Sequence, residues 1–233
     1  MDRTASTNAA AAENFTAGRP HVARAPMFAD IETHLPLWCE KRLSASLDHT
    51  LRHWNGKDDI WIFAYGSLIW NPDLPLEETR RAKVYGRHRS LCLWSTVNRG
   101  TPECPGLVLA LDVGGSCEGL AYRIGASSVR QEFTRLWQRE MARGSYLPCW
   151  VKTHTPQGNL RALAFVMNRR QPSYAGRLDD AHVLDVFQRA CGRFGTTADY
   201  VRKTVEALRG HGVYDARLER LVTLFESSLV AGS

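Results

Sequence analysis

Residues 61–70 read WIFAYGSLIW, an apolar segment that is interrupted at Gly66-Ser67. The residues before the interruption are largely aromatic or β-branched, which favours a strand covered on both faces. Glycine allows the backbone to turn sharply and allows another molecule to approach it closely. Alone, the segment predicts an ordinary strand and turn. A binding site at this turn would require a chemical partner elsewhere in the chain.

Length and composition indicate a soluble globular protein of one or two compact domains. The chain has 233 residues, of which 44% are hydrophobic and 23% are charged. No apolar run approaches the length that spans a membrane, so we expect no membrane association. The formal net charge of +6 is compatible with nucleic acid, an anionic small molecule or simple solubility. The basic residues are mostly scattered arginines without a lysine-rich tract, which disfavours a nucleic-acid partner.

The cysteines and histidines give no sign of a metal site. Six cysteines lie far apart without a C-x-x-C pair, which favours reduced thiols and a cytoplasmic location. His49 and His53 are one helical turn apart, a spacing that could hold a metal. No glutamate lies between them as in H-E-x-x-H, and no nearby acid or cysteine completes a ligand set. We therefore interpret them as an exposed pair and predict no metal.

The order of predicted elements indicates an α+β fold. Residues 1–30 are rich in Ala, Thr and Asn and predict a disordered extension. Residues 31–59 form a helical lead-in, with a helix over 36–54, and residues 60–229 form a single domain. We predict a small mixed β-barrel with flanking helices and a helical C-terminal tail from residue 178. The predicted strands are 60–65, 82–94, 106–112, 118–124, 146–154 and 160–167, with a loop at Gly114-Gly115-Ser116.

A helix predicted over residues 128–143 carries a carboxylate on its apolar face. Ser128 and Gln131 suggest a capping box, and Gly144 suggests the end of the helix. Val129, Phe133, Leu136 and Trp137 form an apolar stripe, and Glu140 projects near its middle. Glu132 lies to the side of this stripe, while Arg135 and Arg139 face away.

Burial of Glu140 has two interpretations. Desolvation would raise its pKa toward the range useful for a general acid-base group. The alternative is a structural glutamate paired with an arginine, of which this chain has many. A protonatable carboxylate facing the free amides of the Gly66-Ser67 turn would suit acyl chemistry without a serine or cysteine nucleophile.

Seven ordered segments of the chain carry a resemblance to one known family. The segments are FAYGSLIWNP (63–72), GRHRSLCLWS (86–95), RGTPECPGLVLAL (99–111), EGLAYRI (118–124), LWQREMARGSYLPCW (136–150), SYAGRL (173–178) and GTTADYVRKTVEALRGHGVYD (195–215). The similarity covers residues 60–224 and begins with the Y-G-S-L signature at the turn. Together these segments resemble the ChaC-like γ-glutamylcyclotransferases, in their glutathione-specific branch.

The resemblance implies a β-barrel enzyme without metal or organic cofactor. The implied reaction cleaves reduced glutathione to 5-oxoproline and cysteinylglycine. The family's catalytic glutamate lies in R-E-x-x-x-G-x-Y, which here places it at Glu140. Tyr174 matches a tyrosine that contacts substrate in related cyclotransferases. The family's substrate loop corresponds to Ile62, Phe63, Ala64, Tyr65, Gly66, Ser67 and Leu68.

Two further features are interpreted from the residues themselves. Arg99 could pair with a substrate carboxylate, and a structural loop arginine explains it equally well. In the tail, Thr196 or Thr197 caps a helix whose apolar face includes Tyr200 and Val201. We predict that this helix packs against the barrel rather than taking part in catalysis.

Three alternatives remain open at the level of sequence. The first is a cyclotransferase for other γ-glutamyl amines. The second is a non-catalytic binding module on the same scaffold, since one fold hosts many functions. The third is a basic nucleic-acid-binding domain, which predicts salt-sensitive binding to DNA or RNA. The oligomeric state is not determined by the sequence.

Overall fold

The protein is described by a computed structural model that covers residues 35–231. The prediction for residues 1–30 and the first four residues of the predicted lead-in, 31–34, lie outside this range. The helices are α1 (Glu40–Leu51), α2 (Ser67–Trp70), α3 (Ala126–Glu140), α4 (Asp180–Arg189), α5 (Thr197–Gly210) and α6 (Ala216–Ala231). The strands are β1 (Ile60–Ala64), β2 (Glu78–Ser95), β3 (Gly106–Ile124), β4 (Tyr146–Thr155), β5 (Gly158–Met167), β6 (Cys191–Gly192) and β7 (Gly195–Thr196).

Strands β1 to β5 form a closed barrel in the order β1-β3-β2-β4-β5. The barrel closes where β1 pairs in parallel with β5, while β1–β3, β2–β3, β2–β4 and β4–β5 are antiparallel. The predicted mixed barrel with flanking helices is therefore confirmed. Strand β1 is buried on both faces, as its aromatic and β-branched sequence predicted.

The loop predicted at Gly114-Gly115-Ser116 is wrong, because β3 runs through it as one continuous strand. Gly114 and Gly115 have φ angles of 98° and 67°, and the register with β2 shifts nearby, between Tyr85 and Arg87. Glycines inside a strand commonly mark such a bulge, because they accept positive φ. The glycine pair bends a long strand instead of ending it.

Helix α3 packs its apolar stripe onto the barrel. Phe133 and Trp137 are buried, and the Trp137 ring meets the Phe165 ring of β5 edge-on at 5.5 Å. The predicted capping box is wrong, since the helix begins at Ala126 and its N-cap residue, Gly125, makes no side-chain capping bond. The helix ends at Glu140, the last residue before the turn that leads to β4.

Helix α1 of the lead-in and helix α5 of the tail both pack against the rest of the molecule. Leu47 and Leu51 of α1 join the main hydrophobic core. The Trp38 N–H donates to Ala142 O, just after α3. Helix α5 contacts α2, where the Trp70 indole donates to Thr204 Oγ1 at 3.1 Å. Within residues 35–231, no helix is both long and apolar enough to cross a membrane.

Candidate active site

A pocket of about 660 Å³ opens between α2, the end of α3, the segment after β2, and α5. This volume falls within the range of roughly 300–1,000 Å³ that is typical of small-molecule sites. Its wall carries four cationic side chains and two acidic ones, together with tyrosine and tryptophan rings. The charged residues are Arg99, Arg139, Arg143, Lys203, Asp73 and Glu140.

Glu140 lies in the wall of this pocket with 13% of its side-chain surface exposed. The side chain is therefore mostly, but not fully, withdrawn from solvent, in the direction that the apolar stripe predicted. Burial raises the pKa of this carboxyl above its usual 4.5, against the opposing charge and hydrogen bond of Arg139. The Arg139 Nε to Glu140 Oε1 distance is 3.0 Å. Both interpretations of Glu140 are thus represented: the group is paired with an arginine, and its pKa is still raised.

Arg139 does not face away from the site, contrary to the prediction. Its guanidinium also donates to Asn71 O at 2.7 Å and to Ser67 Oγ at 3.1 Å. The helical wheel missed this because a long arginine side chain can extend around the helix end. Arg139 thereby ties the carboxylate to the Gly66-Ser67 turn. Glu132, placed to the side by the wheel, is buried and pairs with Arg135 at 3.0 Å.

The turn after β1 is held from both sides. The Tyr65 hydroxyl donates to Phe165 O at 2.6 Å, and Tyr65 O accepts from Arg89 Nε at 2.6 Å. Helix α2 starts at Ser67, and its first amides, of Ser67 and Leu68, have no acceptor within so short a helix. The predicted loop Ile62–Leu68 is otherwise buried, and Ser67 is its one member in the pocket wall among the described residues.

Three tyrosine hydroxyls lie near Glu140, and two of them, those of Tyr146 and Tyr200, bond the backbone of one residue of β3, Leu109. The Tyr146 hydroxyl donates to Leu109 O at 3.1 Å. The Leu109 N–H donates to the Tyr200 hydroxyl at 3.3 Å. Burial raises the pKa of Tyr65, Tyr146 and Tyr200, the last to about 12, and the charge of Glu140 raises all three further. These hydroxyls therefore remain protonated at neutral pH and can donate hydrogen bonds.

Arg99 is a buried cation in the pocket wall, with 6% of its surface exposed. It donates to the Phe194 and Thr196 carbonyls, and its guanidinium lies 5.2 Å from the Tyr200 ring. Burial lowers the pKa of Arg99, because desolvation disfavours its charge. No carboxylate within residues 35–231 forms an ion pair with it. The sequence left its structural and binding roles open, and the structure shows features of each.

Tyr174 is not part of the pocket wall. Its hydroxyl donates to Asp112 Oδ2 at 2.9 Å, and Asp112 also pairs with Arg169 at 2.6 Å. The preceding residue, Ser173, does line the pocket. A substrate contact by Tyr174 therefore stays a prediction that would require its hydroxyl to leave Asp112.

Sequence reasoning missed several pocket residues. Trp70 and Tyr200 were assigned to apolar patterns, and Lys203 was not assigned at all. Lys203 Nζ lies 5.7 Å from the Trp70 ring centre. The available signal was the position of Tyr200 and Lys203 three residues apart on α5, which places them on one helix face. That face could not be assigned to the pocket without knowing where α5 docks.

The histidine pair does not form a ligand set. His49 and His53 both contact the Arg52 side chain, at 2.7 Å and 3.1 Å, and both are exposed. Across the described part of the chain, no three His, Cys, Asp or Glu side chains are grouped in a way that could hold a metal ion.

The chain is similar to proteins of one known family. The ChaC-like protein family matches residues 60–228. An Escherichia coli (strain K12) protein named glutathione-specific gamma-glutamylcyclotransferase is 38% identical over 196 residues, which cover 84% of each protein. Glutathione-specific gamma-glutamylcyclotransferase 1 from Rattus norvegicus is 30% identical over 177 residues, covering 73% of this chain and 80% of the rat protein.

The fold is also similar to that of a solved structure. A crystal structure of a γ-glutamyl cyclotransferase specific to glutathione from yeast superposes with a TM-score of 0.67 at 20% identity. The superposition covers 73% of this chain and 97% of the yeast chain. Sequence and fold thus lead to one assignment: this chain belongs to the ChaC-like protein family.

Proposed function

We propose that this protein is a γ-glutamylcyclotransferase that cleaves reduced glutathione to 5-oxoproline and cysteinylglycine, with Glu140 as its acid-base group. The observation that carries the proposal is the largely buried carboxyl of Glu140 in the pocket wall, tied through Arg139 to Ser67 of the turn. The similarity to relatives that bear the name of this activity supports the choice of reaction.

The charge of the pocket suits this substrate. Glutathione carries two carboxylates and one α-amino group, and the pocket wall carries four cations against two acids. Asp73 is already paired with Arg135, and Glu140 with Arg139. Arg99, without a carboxylate partner among the described residues, binds one substrate carboxylate in this proposal.

The chemistry requires one proton carrier. The substrate's own α-amine attacks its γ-carbonyl carbon, so the enzyme must hold the ring-closing conformer. Free α-amines have a pKa near 8 and are largely protonated at neutral pH. The minor, neutral form of the amine is the one that attacks, and the ionised Glu140 carboxylate accepts one proton from its nitrogen as the new C–N bond forms. It then donates the proton to the cysteinyl nitrogen as the old C–N bond breaks, so no water is consumed.

The turn and the acid-base group work together. The amides at Gly66, Ser67 and Leu68 hold the γ-glutamyl group, either at its α-carboxylate or at the developing oxyanion. Ile62, Phe63 and Ala64 are fully buried and support this turn from beneath. Arg139 fixes the position of the carboxylate relative to the turn.

The decisive experiment measures 5-oxoproline release from reduced glutathione by the wild type and by Glu140→Gln, without added metal. We expect the wild type to turn over and the variant to lose nearly all kcat, because a carboxamide cannot carry the proton. Glu132→Gln is the matched control, since Glu132 is a buried, arginine-paired acid on the same helix outside the pocket wall. It should keep wild-type kcat once folded.

The outcomes separate the alternatives. Substantial kcat in a folded Glu140→Gln protein would refute the role of Glu140. Release from γ-glutamyl-alanine or another γ-glutamyl amine, but not from glutathione, would favour the broader cyclotransferase. No release from any such compound would favour a binding module.

The remaining assignments belong to the same proposal. We place the protein in the cytoplasm, which suits the six free cysteines of the described residues. We expect a small-molecule substrate, no organic cofactor and no nucleic-acid partner. Residues 60–229 act as one domain preceded by the lead-in 31–59.

A further inference from the structure

The hydroxyl of Tyr200 differs from those of Tyr65 and Tyr146 in its hydrogen bonding. Tyr65 donates its hydroxyl hydrogen to Phe165 O, and Tyr146 donates its hydrogen to Leu109 O. Tyr200 only accepts, from the Leu109 N–H. Within residues 35–231 no acceptor is found for its own hydroxyl hydrogen, although 96% of the residue's surface is buried. A buried donor without an acceptor is costly and commonly has a functional reason.

The position of this hydroxyl is fixed by the turn. A methyl group built on Gly66 would lie 3.0 Å from the Tyr200 oxygen. The hydroxyl therefore lies directly against Gly66, one residue before the Ser67 amide. Tyr200 itself lines the pocket that holds Glu140. The donor is thus at the point where the turn and the acid-base group meet.

The Tyr200 ring is packed against two other side chains. The Trp70 ring meets the Tyr200 ring edge-on at 6.2 Å, and the Arg99 guanidinium lies 5.2 Å from the ring centre. The Leu109 N–H fixes the oxygen from the barrel side. A donor held in this way requires no reorganisation when charge appears on a nearby oxygen, which is the condition for strong transition-state stabilisation.

We propose that the Tyr200 hydroxyl donates a hydrogen bond to the γ-carbonyl oxygen of the substrate and stabilises the oxyanion that forms when the α-amine attacks. In the attack the carbonyl π pair moves to the oxygen, and it returns when the bond to the leaving nitrogen breaks. The Tyr200 proton stays on Tyr200 throughout, while Glu140 carries the transferred proton. This inference rests on the proposed function and adds a second group to its chemistry.

Tyr200→Phe tests the proposal, because it removes the hydroxyl and keeps the ring. We expect kcat for glutathione to fall about 100-fold, as for loss of a single oxyanion donor, with KM changed less than about threefold. Tyr122→Phe is the matched control. Its hydroxyl is also buried and donates to Ile69 O of α2 at 3.3 Å, but Tyr122 does not line the pocket. Thermal unfolding of both variants is measured alongside.

Each outcome either supports or overturns the proposed role of the Tyr200 hydroxyl. A large loss of kcat in Tyr200→Phe alone, at a melting temperature near that of Tyr122→Phe, supports the proposal. A raised KM with unchanged kcat would mean that the hydroxyl binds a group such as the α-carboxylate, and would overturn it. Unchanged kinetics, or equal losses in both variants, would also overturn it. In all these cases the wild type remains active, whereas an inactive wild type would refute the proposed function itself.

Discussion

Glu140 is subject to two opposing effects on its charge. Burial disfavours the carboxylate, and the Arg139 guanidinium at 3.0 Å favours it. The net result is a pKa raised above 4.5, so burial outweighs the ion pair. A raised pKa makes the carboxyl a better match to proton transfer near neutral pH. A raised pKa also means that ionisation of Glu140 lowers the free energy of unfolding.

The stability effect has a defined sign. Because the folded-state pKa is raised, Glu140 favours folding at pH values below its unfolded pKa, and this contribution is lost as pH rises through the folded pKa. Glu140→Gln removes the titration. We expect the melting temperature of the variant, relative to the wild type, to be higher at pH 7 than at pH 4. The difference should be about 2–4 °C for each 1 kcal/mol of charge penalty.

Thermal unfolding of the two proteins at both pH values checks this expectation. All other groups titrate equally in the wild type and in Glu140→Gln, so a pH-dependent change in their melting-temperature difference reports Glu140 and its neighbours. A difference, variant minus wild type, that stays constant or becomes smaller from pH 4 to pH 7 would contradict a raised pKa of Glu140.

At the scale of the element, α5 depends on a well-formed N-terminus to present Tyr200. Thr196 Oγ1 accepts from the Asp199 N–H at 3.0 Å, and the Asp199 carboxylate accepts from the Thr196 N–H. A complete capping box therefore occurs on α5, whereas the one predicted on α3 from Ser128 and Gln131 is absent. The sequence had placed a cap for this helix at Thr196 or Thr197, and the structure shows Thr196.

Replacing the cap should weaken the helix measurably. Thr196→Ala is expected to lose about 1 kcal/mol of unfolding free energy, because the Asp199 amide loses its acceptor. Ser128→Ala is the comparison, since Ser128 lies inside α3 and does not cap it. It should stay within about 0.5 kcal/mol of wild type. Urea unfolding of both variants measures these losses of unfolding free energy. Equal losses in Thr196→Ala and Ser128→Ala would contradict the expectation.

At the scale of the whole molecule, one buried arginine joins the barrel, the turn and the tail. The Arg89 side chain is 3% exposed and donates to Tyr65 O, to Glu118 O and to Asp215 Oδ2. Asp215 also accepts from the Leu218 N–H at the start of α6. Removing the arginine would leave buried carbonyls and a carboxylate without their partner.

We therefore expect Arg89→Leu to lose about 3–5 kcal/mol of unfolding free energy, the typical cost of breaking a buried pair from one side. Arg130→Ala breaks an ion pair with Asp48 in which both side chains are more than half exposed. It should lose less than about 1 kcal/mol. Chemical denaturation at neutral pH compares them, and similar losses would show that the Arg89 network contributes little.

The sequence by itself determined the features that depend on local pattern. Aromatic and β-branched runs gave the barrel strands, helical periodicity gave the inward direction of Glu140, and Gly66-Ser67 marked the end of β1. These are properties of neighbouring residues, and they carry over into the structure because a strand or helix presents its faces with a fixed period. Glycine was the exception, because Gly114-Gly115 is equally suited to a loop and to a bulge.

The tertiary structure decided which groups meet. Arg139 turned back to Glu140 and Ser67, Tyr174 was drawn to Asp112, and Tyr200 reached Gly66 from a helix more than 130 residues away in the chain. On the sequence, Tyr200 is one apolar-face residue among others. Its hydroxyl acquires the proposed role only because α5 docks against α2 and β3. Such contacts depend on how whole elements pack, and no local pattern encodes the packing of distant elements.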